Sequence, residues 1–391
     1  MPEVFISRQP LVNRQCKIIA TRLTLHSNGS ASAREVARAL NAMAEHWPHG
    51  EKLTFVNCGA QACGAALMEW VAPENATLEV GSAALLGPGG EDFVAALQAA
   101  QPSLCLLFDA QAKEALASGL QFRFIGFDAQ RLTPQQLKSL AHQTQPFGIG
   151  VAFNVYDRES FQSCLDAGVN AAASWFFRRP TGTPAKTLNP AQAQIVRVMN
   201  LVRKNADVKE IEVALKQDVA LSYKLLRYIN SAGFGLSCEI QSFRHAVTIL
   251  GYDKLNKWLS LLLATASKDP MAPALMHTAL TRARLMEVLG HGLIDRQEYD
   301  NLFITGAFSL LDALLGVSMD KVLEAMSLPE AICDALLGNG GIYAPFLDLA
   351  RVSEGEDGKA IAEQAGMLGL SAEQFNAAQL QALAFAEAME A

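Results

Sequence analysis

Charge is scarce in this chain. Only 18% of its 391 residues are Asp, Glu, Lys or Arg, and the formal net charge is −7. A mildly acidic balance gives no long-range attraction for nucleic acid. Basic residues outnumber acidic ones between Arg197 and Lys257, but no interleaved aromatics offer a stacking platform for single strands. No nucleic-acid partner is expected. The seven cysteines are odd in number, contain no Cys-x-x-Cys and form no Cys/His cluster with zinc spacing. That excludes a disulfide framework and a structural zinc site, and reduced thiols fit the cytoplasm. Long apolar runs are missing too. The longest, Leu302 to Val317, is short for a membrane span and contains Asp312. The N-terminal residues lack an apolar signal core. A cytoplasmic protein without a membrane segment is expected.

What the chain has in quantity is apolar residues, half of the total. The length is comfortable for two domains, each with a real core. Up to Pro180 the pattern alternates. Strand-like runs at Val4–Ile6, Lys17–Leu25, Leu53–Asn57, Thr77–Val80, Leu104–Asp109, Phe122–Asp128, Ile149–Ala152 and Ala171–Phe177 are interleaved with helical segments. Those segments include Ser32–His46, Gly64–Val71, Asp92–Ala100, Pro134–His142 and Arg158–Ala167. Short continuous apolar runs are the mark of buried parallel strands. Repeated β-α units predict a barrel or a doubly wound sheet. Asn57, Glu79, Asp109 and Asp128 fall at successive strand ends, where a barrel builds its active site. Such acids and an amide would suit a divalent metal with phosphate oxygens, although strand ends are also polar simply because they meet solvent.

Residues 178–190 hold three prolines and a glycine without periodicity and read as a linker. Beyond it the pattern is helical throughout, which predicts an all-α domain with short connections. Its most informative stretch is Leu215–Gly251, a helix, a break at Ser231–Gly235, and a second helix that stops at Gly251. Trp258 and the leucines around it read as core.

Residues 5–28, FISRQPLVNRQCKIIATRLTLHSN, resemble the opening of an EAL domain, the cyclic di-GMP phosphodiesterase barrel. Residues 157–180, DRESFQSCLDAGVNAAASWFFRRP, are similar to its final helix, strand and exit. The resemblance is closest to the diverged EAL domain fused to an HDOD domain in bacterial signalling proteins. It implies that several functional positions are changed. The signature glutamate, a metal ligand in the family, falls on Arg22. The metal-binding asparagine and the next glutamate match Asn57 and Glu79. The Asp-Asp pair falls on Phe108 and Asp109, and the Lys-x-Asp strand on Gly126, Phe127 and Asp128. The late glutamates fall on Phe153 and Tyr156, and the late glutamine on Ala173. An arginine among the ligands repels a dication, and a phenylalanine coordinates nothing. Arg22 is expected to pair with Glu79 or Asp128, although it could instead pair with a phosphate.

Residues 217–235 and 240–259, with GAFSLLDALLG at 306–316, resemble an HDOD domain, the non-hydrolytic relative of HD phosphohydrolases. Where the metal-binding His-Asp pair would lie, this chain has Ser309 and Leu310. His277 and Asp312 cannot make the site alone.

Taken together, the expectation is two domains. An N-terminal α/β barrel of the TIM-like EAL kind covers residues 1–180, a linker 181–190, and an all-α HDOD-like domain 191–391. The expected function is signal transduction through an unidentified protein partner or a homodimer. No catalytic residue, metal or cofactor is expected, and neither is cyclic di-GMP binding. Arg22, Asn57, Glu79, Asp109 and Asp128 are the residual rim positions. The alternatives are a cyclic di-GMP phosphodiesterase with a rearranged metal site on Asn57, Glu79, Asp109 and Asp128, or a sensor of that nucleotide without turnover.

Overall fold

The computed structural model describes residues 3–27, 31–59, 62–178, 187–216, 242–264, 267 and 269–389. Most of Leu215–Gly251 and most of the linker lie outside the described residues. The chain divides into two compact units, Met1–Phe177 with Arg351–Leu380, and Arg178–Ala350 with Gln381–Ala391. The domain boundaries expected above stand as a proposal; by contacts, residues 351–380 go with the barrel.

The first unit is a closed barrel of eight strands in sequential order. They are β1 (Val4–Asn13), β2 (Ile18–Ser27), β3 (Leu53–Asn57), β4 (Ala76–Gly81), β5 (Ser103–Leu107), β6 (Phe124–Asp128), β7 (Ile149–Phe153) and β8 (Ala171–Ala173). β1 runs antiparallel to both neighbours, and all other pairs are parallel. A two-residue side-chain period sends alternate residues inward. Leu11, Ala20, Phe55, Cys105, Phe124, Val151, Phe153, Ala171 and Ala173 fill the interior. The Phe55 and Phe124 rings meet edge to face with centroids 5.0 Å apart.

The helices of this unit start where the sequence supplies caps. Ala33–Ala42 is opened by a capping box of Ser32 and Glu35, and Pro134–Thr144 by Thr133 and Gln136 with Pro134 in the first turn. Val36, Ala37 and Leu40 form the buried stripe of the first. The segment expected to be helical at Gly64–Val71 is instead a 3-10 turn, Ala65–Glu69.

β1 is longer than its apolar start suggests because its polar residues are buried with partners. β8 pairs only with Leu11–Asn13, so the remaining edge of β1 needs other acceptors and donors. Residues of the C-terminal segment supply them. Asn376 accepts from Ile6 N (3.0 Å) and donates to Val4 O (2.7 Å). Gln379 donates to Ile6 O (3.2 Å), and Ser353 O accepts from Arg8 N (3.0 Å). The buried Arg8 guanidinium donates to Glu354 (2.8 Å) and Gln379 (3.0 Å).

The second unit is helical. Its described helices include Pro190–Arg203, Val208–Lys216, Phe243–Ala264, Ala272–Gly290, Tyr299–Phe308, Leu311–Leu315, Met319–Glu324 and Glu330–Leu337. Pro190–Arg203 begins with an Asn189–Gln192 capping box. Gly251 interrupts Phe243–Ala264 with a left-handed φ of 75°. At Gly306 a Cβ would stand 2.5 Å from Ala283 Cα, so glycine lets the helices Ala272–Gly290 and Tyr299–Phe308 touch backbone to backbone. The apolar run from Leu302 to Val317 is not one helix: it breaks after Phe308, where Ser309 Oγ turns back to donate to Gly306 O (2.7 Å). No described helix is long and apolar enough to cross a membrane.

Candidate functional site

The C-terminal rim of the barrel holds the residues singled out in the sequence, and three of them form one cluster. Arg22 donates through Nε to Glu79 Oε1 (2.7 Å) and through Nη2 to Oε2 (2.8 Å). Asn57 Nδ2 donates to the same Oε2 (2.7 Å). The Glu79 side chain is fully buried and that of Arg22 nearly so. Burial opposes the arginine's charge. The Glu79 carboxylate outweighs it by charge and hydrogen bond, with Glu356 adding, and the guanidinium is held above its ordinary pKa. Of the two acids expected as partners of Arg22, Glu79 takes it.

The ring of Phe153 lies under that guanidinium, 4.3 Å from Arg22 Cζ to its centroid. Gly126 leaves room for the ring: a Cβ there would stand 2.4 Å from Phe153 Cε2 and 3.3 Å from Cys105 Sγ. So three positions that the resemblance assigns to charged groups, now Arg22, Gly126 and Phe153, are packed on one another. Inside this packing Cys105 has its thiol pKa pushed well up, by burial first and then by Glu79.

Asp109 and Asp128 stand apart from the cluster. Asp109 is exposed, and its Oδ1 accepts from Ser82 Oγ (2.7 Å) and from Gln111 N (2.9 Å). Asp128 accepts from Gln130 N (3.0 Å) and pairs with the exposed Arg131 (3.2 Å).

A divalent metal does not fit this rim. Both Glu79 oxygens are taken by Arg22, Asn57 turns its NH2 toward Glu79, and Asn57 Oδ1 accepts from Gly59 N (2.9 Å). Among the described residues no three His, Cys, Asp or Glu side chains are grouped to hold a metal. The helical unit follows the same logic. Ser309 accepts from the buried Arg282 Nη1 (2.9 Å), so a cation sits at the position implied for the metal-binding pair, and Leu310 beside it is buried.

Two neighbours of Arg22 escaped the sequence. Gln9 is its register partner across β1 and β2, and Gln9 Oε1 lies 3.5 Å from Nη1. Once the hairpin is recognised, its register reveals that pair. Glu356 comes from the C-terminal segment, with Oε1 3.9 Å from Nη1 and accepting from Gln9 Nε2 (3.2 Å). No local pattern announces it.

With this geometry in place, comparison with known proteins defines the class. Residues 187–308 match the HDOD domain. The chain carries an HDOD domain in its C-terminal region, behind an eight-stranded closed barrel. It is 29% identical over 224 residues to CdgJ of Vibrio cholerae, named a cyclic di-GMP phosphodiesterase, covering 57% of this chain and 52% of that protein. It is 24% identical over 210 residues to the uncharacterized YuxH of Bacillus subtilis, covering 53% of this chain and 51% of YuxH. The chain thus spans about half the length of these curated relatives. Similar solved structures include Klebsiella pneumoniae BlrP1 with manganese and cyclic di-GMP (14% identity, TM-score 0.37, 45% of this chain and 58% of that one). Another is the Pseudomonas aeruginosa FimX EAL domain bound to cyclic di-GMP (12% identity, TM-score 0.37, 45% of this chain and 90% of that one).

Two expectations are corrected here. The expectation of a non-enzyme, drawn from the lost ligands, is overturned by CdgJ, a relative named for phosphodiesterase activity. The expectation against cyclic di-GMP binding is overturned by the same relative, which is named for acting on that dinucleotide. The physical reason for both errors is the same. Loss of metal ligands removes one way to hold a phosphodiester, whereas cations, amides and backbone N–H groups offer another.

Proposed function

We propose that this protein works in cyclic di-GMP signalling, that the mouth of its barrel takes the dinucleotide, and that hydrolysis of its phosphodiester is the activity. The observation that carries this reading is the barrel rim itself. Asn57, Glu79, Asp109 and Asp128 stand at or near the C-terminal strand ends of a closed barrel whose first strand is antiparallel, and Arg22, from the middle of β2, reaches them through Glu79. The HDOD domain and the named activity of CdgJ support it. The rim acids not tied to Arg22 are Asp109 and Asp128, and these are the carboxylates this reading assigns to general-base work. Without a two-cation arrangement, turnover is expected to be slower than that of a two-metal enzyme. The free thiols of the described cysteines fit a cytoplasmic setting, which the reading also assigns.

Isothermal titration of the full chain with cyclic di-GMP, paired with a hydrolysis assay with and without magnesium or manganese, is the test. Saturable binding and a turnover that falls in Asp128→Ala are expected. Absence of both binding and turnover in well-folded protein would sink the reading.

A further inference from the structure

The segment between the two clamps on β1 carries a carboxylate into the barrel mouth. Upstream, Glu354 is fixed by its fully buried pair with Arg8 (2.8 Å) and by Trp175 Nε1, which donates to its backbone carbonyl (2.6 Å). Downstream, Asp357 caps the helix Gly358–Met367, accepting from Lys359 N and Ala360 N. Glu356 lies between these fixed points. Its own side chain is half exposed, and Oε1 sits 3.2 Å from Gln9 Nε2 and 3.9 Å from Arg22 Nη1.

Arg22 spends Nε and Nη2 on Glu79, so Nη1 is the nitrogen it turns to Gln9 and Glu356. An arginine nitrogen and an amide NH2 converging on one oxygen make an anion site. Glu356 Oε1 accepts from the Gln9 amide and lies in charge contact with Arg22, where a phosphate oxygen would meet the same amide and the same cation.

We infer that Glu356 is a built-in plug: it fills an anion position made by Gln9 and Arg22, and a phosphodiester oxygen of the ligand displaces it. The inference rests on the reading that the barrel mouth takes cyclic di-GMP. Displacement is feasible because the Glu356 contact is half exposed and screened, whereas the Arg22–Glu79 pair beneath it is buried and stays. A plug that remained beside the ligand would set two anions against each other. Residues 351–380 thereby control access to the site as well as covering the edge of β1.

The test compares the full-length protein with Glu356→Gln, and with Glu363→Gln as a control that removes the same charge from an exposed pair on the same segment. By titration, Glu356→Gln is expected to bind cyclic di-GMP about five- to tenfold more tightly than the native protein, from loss of one like charge at the mouth. Glu363→Gln is expected to match the native protein. In a second arm, inorganic phosphate at matched ionic strength raises the melting temperature of Glu356→Gln but not of the native protein. Equal dinucleotide affinity in Glu356→Gln and the native protein overturns the plug. Should neither bind the dinucleotide, the reading of the mouth fails by itself and the phosphate arm decides. A response confined to Glu356→Gln keeps the plug, and an equal response or none in both removes it.

Discussion

Arg22 and Glu79 face each other fork to fork, with Nε–Oε1 at 2.7 Å and Nη2–Oε2 at 2.8 Å, and the carboxylate has no solvent exposure. A buried pair of this kind punishes the removal of one partner far more than the removal of both. Arg22→Leu leaves Glu79 charged, buried and bonded only by Asn57, so a loss of about 3–5 kcal/mol is expected. The double change Arg22→Leu with Glu79→Leu is expected to recover most of that loss. Urea unfolding followed by tryptophan emission reads it well, because Trp47, Trp70 and Trp175 all belong to the barrel unit. Equal destabilisation in the single and double variants would mean that the pair does not act as a unit.

The same pair predicts how the protein meets metals. Native protein is expected to keep its melting temperature in a chelator, because the guanidinium already neutralises Glu79. Arg22→Glu sets a second carboxylate against Glu79 and is expected to melt lower in metal-free buffer. Millimolar magnesium or manganese should then restore part of the loss, since a dication replaces the missing cation. A chelator-sensitive native protein would contradict the assignment of Arg22 to the cation's place.

Gly126 and Phe153 provide a steric version of the argument. A Cβ on Gly126 would stand 2.4 Å from Phe153 Cε2, and the ring is held between Gly126 and the Arg22 guanidinium. Gly126→Ala is expected to cost about 1–3 kcal/mol by overpacking. In a Phe153→Leu background the same alanine should cost less than half as much, giving a clear coupling in a double-mutant cycle. Additive effects would show that the ring moves aside freely.

These couplings explain what could and could not be read in advance. Strands β3 to β7 were legible because each is a short apolar run followed by a helix, and the rim residues were legible because they end those runs. Arg22 was legible as a cation at a ligand position, but the sequence left Glu79 and Asp128 both open as its partner, and only the folded geometry selects Glu79. The polar half of β1 was not legible as strand. Ser7, Arg8 and Gln9 break an apolar pattern, and they are buried only because Glu354, Glu356, Asn376 and Gln379 arrive from the other end of the chain. The plug was hidden for the same reason. The break at Ser309 was missed because a helix-period pattern runs through it, while the hydroxyl's bond to Gly306 O decides otherwise.

In the helical unit, Ser309 is predicted to matter more than a serine usually does. Its hydroxyl accepts from Arg282 Nη1 (2.9 Å) in a buried setting and donates to Gly306 O (2.7 Å). Ser309→Ala removes a charge-assisted bond and is expected to cost about 1.5–3 kcal/mol. Ser309→Thr, which keeps the hydroxyl, is expected to recover part of it. Hydrogen exchange across Tyr299–Phe308 and Leu311–Leu315 would localise the effect, and unchanged protection in Ser309→Ala would refute it.

His26 sets a pH dependence on the barrel unit. Its Nε2 lies 2.8 Å from Ser7 Oγ, and its ring covers Gly358, where a Cβ would stand 2.3 Å from His26 Cβ. Burial lowers its pKa below the ordinary 6.5, and the nearby Glu356 and Asp357 carboxylates offset this only in part. The folded protein therefore holds the imidazole neutral at a pH where the unfolded chain has begun to protonate it. Since the unfolded state then binds more protons, stability falls as pH drops from about 6.5 and levels off below the folded pKa. His26→Gln is expected to flatten the fall of the urea midpoint between pH 7 and pH 5. Glu356→Gln removes an offsetting charge and is expected to steepen it. Apart from Glu356 itself, the carboxylates that titrate lower are common to all three proteins and cancel in the comparison. A fall of the same slope in native and His26→Gln protein would place the titrating group elsewhere.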